Sequence, residues 1–182
     1  MTEHKQQTSK RMASTAPRIY AACLAAYNNG YLHGRWIDAD QDTAAIQAEI
    51  SAMLDASPIP GAEEWAIHDH EGFEGAELHE YTGVERVAEL AAFIADRGEL
   101  GAKVFDQFGG DIDQAEAAFD DYAGCYRSLA DYAQELTEDT TDIPPTLIHY
   151  IDYAAMARDM ELNGDVFTVE LGFDEIHVFW SR

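Results

Sequence analysis

The spacing of apolar residues predicts strands near both ends of the chain and helices between them. Two apolar runs, 18–27 and 31–39, flank Asn28-Asn29-Gly30, and an Asn-Gly pair between such runs is a strong hairpin signal. In 43–54 the apolar residues recur at helical spacing, and 65–69 then alternates as a short strand does. The first part of the chain therefore predicts a β-β-α-β arrangement.

Helical spacing dominates the middle of the chain. The apolar residues of 84–97 form one stripe, and Gly98 follows where a glycine commonly ends a helix. Two shorter helices are expected over 100–108 and 113–123. This part of the sequence therefore predicts a small helical section.

The last third predicts two helices and a closing hairpin. Residues 128–140 and 146–162 have helical apolar spacing, whereas 165–171 and 175–180 alternate with a period of two. Antiparallel strands flanking a helical middle place the fold in the α+β class. The expected organisation is a disordered basic arm over 1–17, an N-terminal β-β-α-β domain over 18–82, a helical middle domain over 83–125 and a C-terminal α+β domain over 126–182.

The charge of the chain limits its partners. The 182 residues include 35 acidic and 11 basic side chains, a net charge of −24, and 47% of the residues are hydrophobic. Bare nucleic acid and anionic membranes would repel such a protein, and it is too apolar to be a disordered acidic tail. The sequence has no apolar stretch of about 18 residues and no apolar core of a signal peptide, so a cytoplasmic location with Cys23 and Cys125 reduced is expected.

Acidic residues follow one face of three of the predicted helices. In the helix over 128–140 they recur at i, i+4 and i+7, with one more at i+11, opposite the apolar face. Like charges at this spacing destabilise a helix, and no lysine is interleaved among them on this helix. No lysine or arginine occurs between Arg35 and Arg86 either, so acidic residues also dominate that interval. Four helical residues span about 6 Å, within a factor of two of the phosphate spacing of one DNA strand, so such stripes could imitate phosphates. The candidate partner-binding residues are Glu85, Glu89, Asp96, Asp113, Glu116, Asp120, Asp131, Glu135, Glu138 and Asp142.

Two alternatives to a phosphate-like surface stay open from the residues alone. A protein adapted to high salt would also be rich in acidic residues and poor in lysine. His68, His70 and His79 form the only histidine cluster dense enough for a metal, which would fit a metal-dependent hydrolase, although the helical H-E-x-x-H pattern is absent. No nucleophile elbow, P-loop or dinucleotide fingerprint occurs, so the sequence predicts neither an enzyme nor a cofactor.

Several segments of the sequence resemble the ArdA-type antirestriction proteins, in the order in which that family has them. They are IYAACLAAYNNGYLHGRWIDA (19–39), EEWAIHDHEGF (63–73), FGGD (108–111), YAGCYRSLADYAQELTEDT (122–140), IDYAAMARDME (151–161) and IHVFW (176–180). The resemblance covers nearly all of the chain from residue 18 onward. His70 departs from it, since an aromatic residue is expected at that position.

The resemblance implies an elongated, three-domain homodimer that mimics B-form DNA. Proteins of this kind occupy the DNA-binding groove of type I restriction-modification enzymes, and they are carried by plasmids, conjugative transposons or phage. The segment LADYAQELTEDT (129–140) resembles the antirestriction motif of the family. It is also the predicted helix with the most regular acidic stripe, so charge spacing and resemblance point to the same residues.

Overall fold

A computed structural model of the protein describes residues 15–181. Within these residues the chain forms six α-helices, one short 3-10 helix and six strands, which build two antiparallel three-stranded sheets. The α+β class and the helical section between the two sheets are thereby confirmed. The chain divides into two compact units at the bond between Gly98 and Glu99. The division into three domains stays a prediction.

The first unit contains a sheet in the order β2-β1-β3 with two helices in its connections. Its elements are β1 (Arg18–Cys23), α1 (Leu24–Asn28), β2 (Gly34–Asp38), α2 (Thr43–Asp55) and β3 (Trp65–Glu71). Ile19, Ile37, Ile46 and Ile50 are fully buried, so β1, β2 and α2 share one core. The predicted apolar face of α2 is confirmed.

The predicted hairpin pairs the expected strands but has a longer connection. β1 and β2 are antiparallel, with Ala22 opposite Gly34, as expected. The tight turn at Asn28-Asn29-Gly30 was wrong, because β1 ends at Cys23 and the short helix α1 follows. The Cys23 thiol accepts a hydrogen bond from the backbone N–H of Ala26 at 3.4 Å, which caps that helix.

Only the last three residues of the predicted basic arm, 15–17, lie within the described residues. Pro17 is buried, and its carbonyl oxygen accepts a hydrogen bond from the backbone N–H of Ala39 at 2.9 Å. The chain here runs so close to Gly72 that a Cβ at that glycine would overlap the carbonyl oxygens of Thr15 and Ala16. Residues 15–17 therefore contact the first unit before β1 begins.

The helical section begins with α3 (Val84–Gln107) and α4 (Ile112–Asp120). The predicted helix end at Gly98 is confirmed, since this residue has φ 60° and ψ −147° and interrupts α3. Val87 and Leu90 lie on the buried face of α3, as their spacing predicts. None of the helices in residues 15–181 is long and apolar enough to cross a membrane.

The helix predicted over 113–123 was wrong at its C-terminal end. α4 ends at Asp120, and β4 (Tyr122–Tyr126) follows at once, so the expected helical section 83–125 closes with a strand. Gly124 has φ 139°, which an α-helix does not allow. Tyr122 pairs instead with Phe179 of the last strand.

The second unit contains a sheet in the order β4-β6-β5, with helices packed against it. After β4 it has α5 (Leu129–Thr140), a 3-10 turn (Ile148–Tyr150), α6 (Tyr153–Leu162), β5 (Val166–Gly172) and β6 (Glu175–Trp180). The helix predicted over 146–162 was wrong at its start. α6 begins only after Asp152, whose carboxylate caps it by accepting a hydrogen bond from the backbone N–H of Ala155 at 2.9 Å.

Aromatic rings fill the interior of this second sheet. Phe179 is fully buried, and its ring stacks on Phe167 at 4.9 Å between centroids. The Phe119 ring of α4 meets Phe179 edge-on at 5.4 Å. The closing hairpin β5–β6, which its period-two pattern predicts, thus supplies the centre of this core.

Candidate acidic interface

The helix α5 presents an apolar face to the protein and an acidic face to solvent. Leu129, Tyr132 and Ala133 are buried in a cluster with residues of α6, β5 and β6. On the other side lie Asp131, Glu135 and Glu138, which we call the α5 stripe. Asp131 is half-buried, and the two glutamates are exposed.

A side-chain cap defines the start of α5. The helix ends earlier than the expected acidic stripe requires. The Ser128 hydroxyl accepts a hydrogen bond from the backbone N–H of Asp131 at 3.1 Å, a typical N-cap contact. The helix ends at Thr140, so Asp142 lies in the following loop rather than on the helix face. Asp142 is exposed, but the predicted i+11 position on a continuous helix was wrong.

Neutral side chains hold the two glutamates of the α5 stripe. The Tyr126 hydroxyl donates a hydrogen bond to Glu135 Oε1 at 3.1 Å. Glu138 Oε1 accepts one from Gln134 Nε2 at 2.9 Å and a longer one from the Tyr153 hydroxyl at 3.4 Å. Sequence reasoning missed both tyrosines, because they come from β4 and α6 and no helical spacing connects them with α5.

The environment of Tyr126 keeps its phenol protonated. Burial, the hydrogen bond to Glu135 and the negative charge of that carboxylate raise the pKa of Tyr126 to about 12. Its ring packs on Tyr132 with 5.0 Å between centroids. The hydroxyl is therefore a fixed hydrogen-bond donor at physiological pH.

Asp131 differs from the other two members of the stripe. Arg127 Nε lies 3.0 Å from Asp131 Oδ2, at an i, i+4 spacing. The side chains are 76% and 36% exposed, so this ion pair contributes at most about 1 kcal/mol to stability. Its main effect is to offset one negative charge at the start of α5.

The predicted acidic residues of α4 also face solvent. Asp113, Glu116 and Asp120 are exposed, while Ile112 and Ala115 on the other side of the helix are buried. No lysine, arginine or histidine of residues 15–181 forms an ion pair with these three carboxylates. Their charges therefore stay uncompensated by contacts within the described chain.

The acidic residues predicted on α3 are exposed but partly paired. Glu89 lies 3.7 Å from Arg86, and Asp96 lies 2.9 Å from Arg97, whereas Glu85 has no such ion pair among the described residues. The α3 face is consequently less negative than its carboxylates alone suggest.

Over the whole described chain, carboxylates lie outside the core and nearly all basic side chains lie beside them. None of the aspartates and glutamates of residues 15–181 is buried. Every lysine and arginine in the same residues, with the exception of Arg158, lies within 4.0 Å of a carboxylate. The few cations are therefore placed beside carboxylates, and the net surface charge is strongly negative.

The three candidate metal-binding histidines do not form one site. His68 and His70 of β3 both line one open concavity, where His68 Nε2 lies 4.0 Å from Glu80 Oε1. His68 meets the ring of Tyr27 edge-on, and His79 is not among the residues that line this concavity. Within residues 15–181, no group of three or more His, Cys, Asp or Glu side chains is arranged to hold a metal ion.

Fold and surface together define a small α+β protein whose helices expose acidic faces. A family model described as "Antirestriction protein (ArdA)" matches residues 19–175. The chain therefore belongs to the ArdA antirestriction protein family, which confirms the resemblance found in its sequence. No curated protein sequence matches the chain.

Proposed function

We propose that the protein inhibits type I restriction-modification enzymes by occupying their DNA-binding groove in place of DNA. The observation that carries this proposal is the α5 stripe, Asp131, Glu135 and Glu138, on an exposed helix face opposite a well-packed apolar one. Family membership supports a role against restriction. The acidic faces of α3 and α4 would add to the charge that the protein offers to the enzyme.

Like charges repel one another along α5. Glu135 has like charges at i−4 and i+3, and each such pair destabilises a helix by about 0.2–0.5 kcal/mol. No lysine occurs on this helix to relieve the repulsion. A partner with a basic groove would turn this cost into binding free energy, because the carboxylates would replace phosphates and release the same counterions.

The amount of charge agrees with this function. Duplex DNA carries one charge per about 1.7 Å of its axis, so a net charge of −24 corresponds to about 40 Å of duplex. We propose in addition that the protein acts in the cytoplasm as a homodimer, which would double this length. It would not bind nucleic acid or a membrane itself, because both carry the same sign of charge.

A displacement experiment tests the proposal. Labelled duplex DNA is bound to the methyltransferase core of several type I enzymes, and the protein is titrated in at increasing salt. We expect displacement of the DNA, with an affinity that falls as salt rises, as it does for DNA itself. If the protein displaces no DNA from any of these enzymes at low salt, the proposal is wrong. Folding only at molar salt would support the halophilic alternative.

A further inference from the structure

We propose that Tyr126, Tyr153 and Gln134 are positioning residues, which fix the carboxylates of Glu135 and Glu138 without cancelling their negative charge. The inference rests on the proposed function, because it concerns how the α5 stripe is prepared for a basic partner. It goes further in assigning a role to three uncharged side chains that are not themselves part of the acidic surface.

The geometry of the hydrogen bonds carries this inference. Tyr126 comes from β4 and Tyr153 from α6, yet both hydroxyls donate to carboxylates of the same helix face, at 3.1 and 3.4 Å. Gln134, one turn before Glu138, donates to the oxygen that Tyr153 also reaches. Glu135 is thus held from a strand, and Glu138 from two helices.

The chemical nature of the donors also supports the inference. A lysine or arginine could hold a glutamate too, but it would remove the charge that the surface needs. Arg127 does this to Asp131 at the start of the same helix. Phenol and amide groups donate a hydrogen bond and leave the carboxylate with its full charge. A phenol has an ordinary pKa of about 10, so it keeps its proton and donates at neutral pH.

Fixed carboxylates should bind more tightly than mobile ones. A free glutamate side chain loses rotamer entropy when a partner immobilises it, and that loss reduces the affinity. Phosphates of duplex DNA are held in place by their covalent links to the sugars before any protein binds. A helix that imitates phosphates should bind more tightly if its carboxylates are already held before the partner arrives. In the folded protein, the tyrosine hydroxyls provide this restraint.

Removal of the two hydroxyls tests the inference. The double variant Tyr126→Phe with Tyr153→Phe keeps both rings and the net charge but loses both phenol donors. Its matched control is Tyr150→Phe, because Tyr150 is 84% exposed and its hydroxyl makes no hydrogen bond within residues 15–181. Both variants are compared with the unchanged protein in the displacement of duplex DNA from a type I methyltransferase.

We expect the double variant to bind about fivefold more weakly, as loss of two weak restraints implies, and the control to bind as the unchanged protein does. The slope of affinity against salt should be the same for all three, because no charge has been removed. In a Glu135→Ala background, Tyr126→Phe should have no further effect. This combination distinguishes positioning from a general structural role.

Each outcome has one meaning. If the unchanged protein displaces no DNA, the proposed function fails, whatever the variants do. If the unchanged protein displaces DNA and the double variant equals Tyr150→Phe, or if its salt slope falls, the positioning role is wrong. If the double variant melts at a lower temperature, its weaker binding could come from lost stability. The variant Gln134→Ala, at an exposed position, then repeats the test for Glu138. Unchanged binding by Gln134→Ala would then overturn the inference.

Discussion

Replacement of Glu135 by glutamine is expected to stabilise the protein and, at the same time, to weaken the proposed inhibition of type I restriction-modification enzymes. Glu135 lies at the centre of the α5 stripe, with Asp131 four residues before it, Glu138 three residues after it and Asp139 four residues after it. The side chain is exposed, and glutamine has a similar helix propensity. Glutamine also keeps a carbonyl oxygen that can accept the hydrogen bond of Tyr126.

The expected gain in stability follows from the repulsions that disappear. Three like-charge pairs at about 0.2–0.5 kcal/mol each give about 0.6–1.5 kcal/mol. The true gain should lie in the lower half of this range, because Arg127 already offsets the charge of Asp131. For a chain of this length, a gain of about 0.6–1 kcal/mol corresponds to a rise in melting temperature of about 1–4 °C.

The expected loss in binding comes from one missing contact with a basic partner. An exposed ion pair contributes at most about 1 kcal/mol, which is about a fivefold change in affinity. Inhibition should therefore weaken by up to this factor, and the salt dependence should become shallower. A complete loss of binding, with the fold intact, would point to a localised site instead of a dispersed acidic surface.

The control variant is Glu63→Gln, which makes the same chemical change in an exposed loop before β3. We expect it to leave both the melting temperature and the inhibition nearly unchanged. Thermal unfolding followed by circular dichroism and displacement of DNA from a type I methyltransferase measure the two effects. If Glu135→Gln stabilises the protein but inhibits as well as Glu63→Gln does, α5 is an ordinary solvated face and the reasoning is refuted.

Three further predictions concern the fold. Phe179→Ala should lower the free energy of unfolding by about 3–5 kcal/mol in chemical denaturation, because it empties the aromatic core. Gly72→Ala should destabilise more than Gly75→Ala, since both have positive φ but only the Cβ at residue 72 would overlap backbone oxygens; equal effects would contradict this packing. Stability should fall as the pH rises from about 10 to about 12, because the raised pKa of Tyr126 makes the folded state hold a proton that the unfolded state releases. Tyr126→Phe should reduce this fall in alkaline denaturation curves.

Elements whose pattern reflects local burial could be predicted from the sequence. The face of α2 with Ile46 and Ile50, the break at Gly98 and the hairpin β5–β6 all follow from spacing and turn chemistry. The apolar run 18–27 predicts a strand through residue 27, but the chain forms the helix α1 from Leu24 to Asn28. Its sequence, LAAYN, has residues that favour a helix and follows the Cys23 thiol, which caps it. Here a local preference ends the strand that the apolar run predicts.

The strand β4 shows why other elements could not be predicted. Its sequence, YAGCY, is short and apolar, and such runs fit a helix or a strand equally well. The decision comes from pairing with β6, whose partner positions are 50 to 57 residues away, and from the positive φ of Gly124. The apolar neighbours of Cys125 predict a thiol packed in the core; this was wrong, because Cys125 is exposed on this strand.

Part of the candidate interface could also be predicted from the sequence, and part could not. Which carboxylates share a helix face could be worked out from i, i+3 and i+4 spacing, and those of α3, α4 and α5 lie outside the core as expected. The donors that hold Glu135 and Glu138 could not, because Tyr126 and Tyr153 reach α5 only through tertiary packing. The one misplaced candidate, Asp142, lies beyond the helix end.

The central claim is that the protein and DNA compete for the same groove. The most direct measurement is the affinity of the protein for a type I methyltransferase in the presence of increasing concentrations of unlabelled duplex DNA that contains its recognition sequence. Competition predicts that the apparent Kd of the protein rises linearly with the DNA concentration and without a plateau, because no ternary complex forms. An apparent Kd that stays constant, or one that reaches a plateau while protein and DNA are bound together, would contradict it.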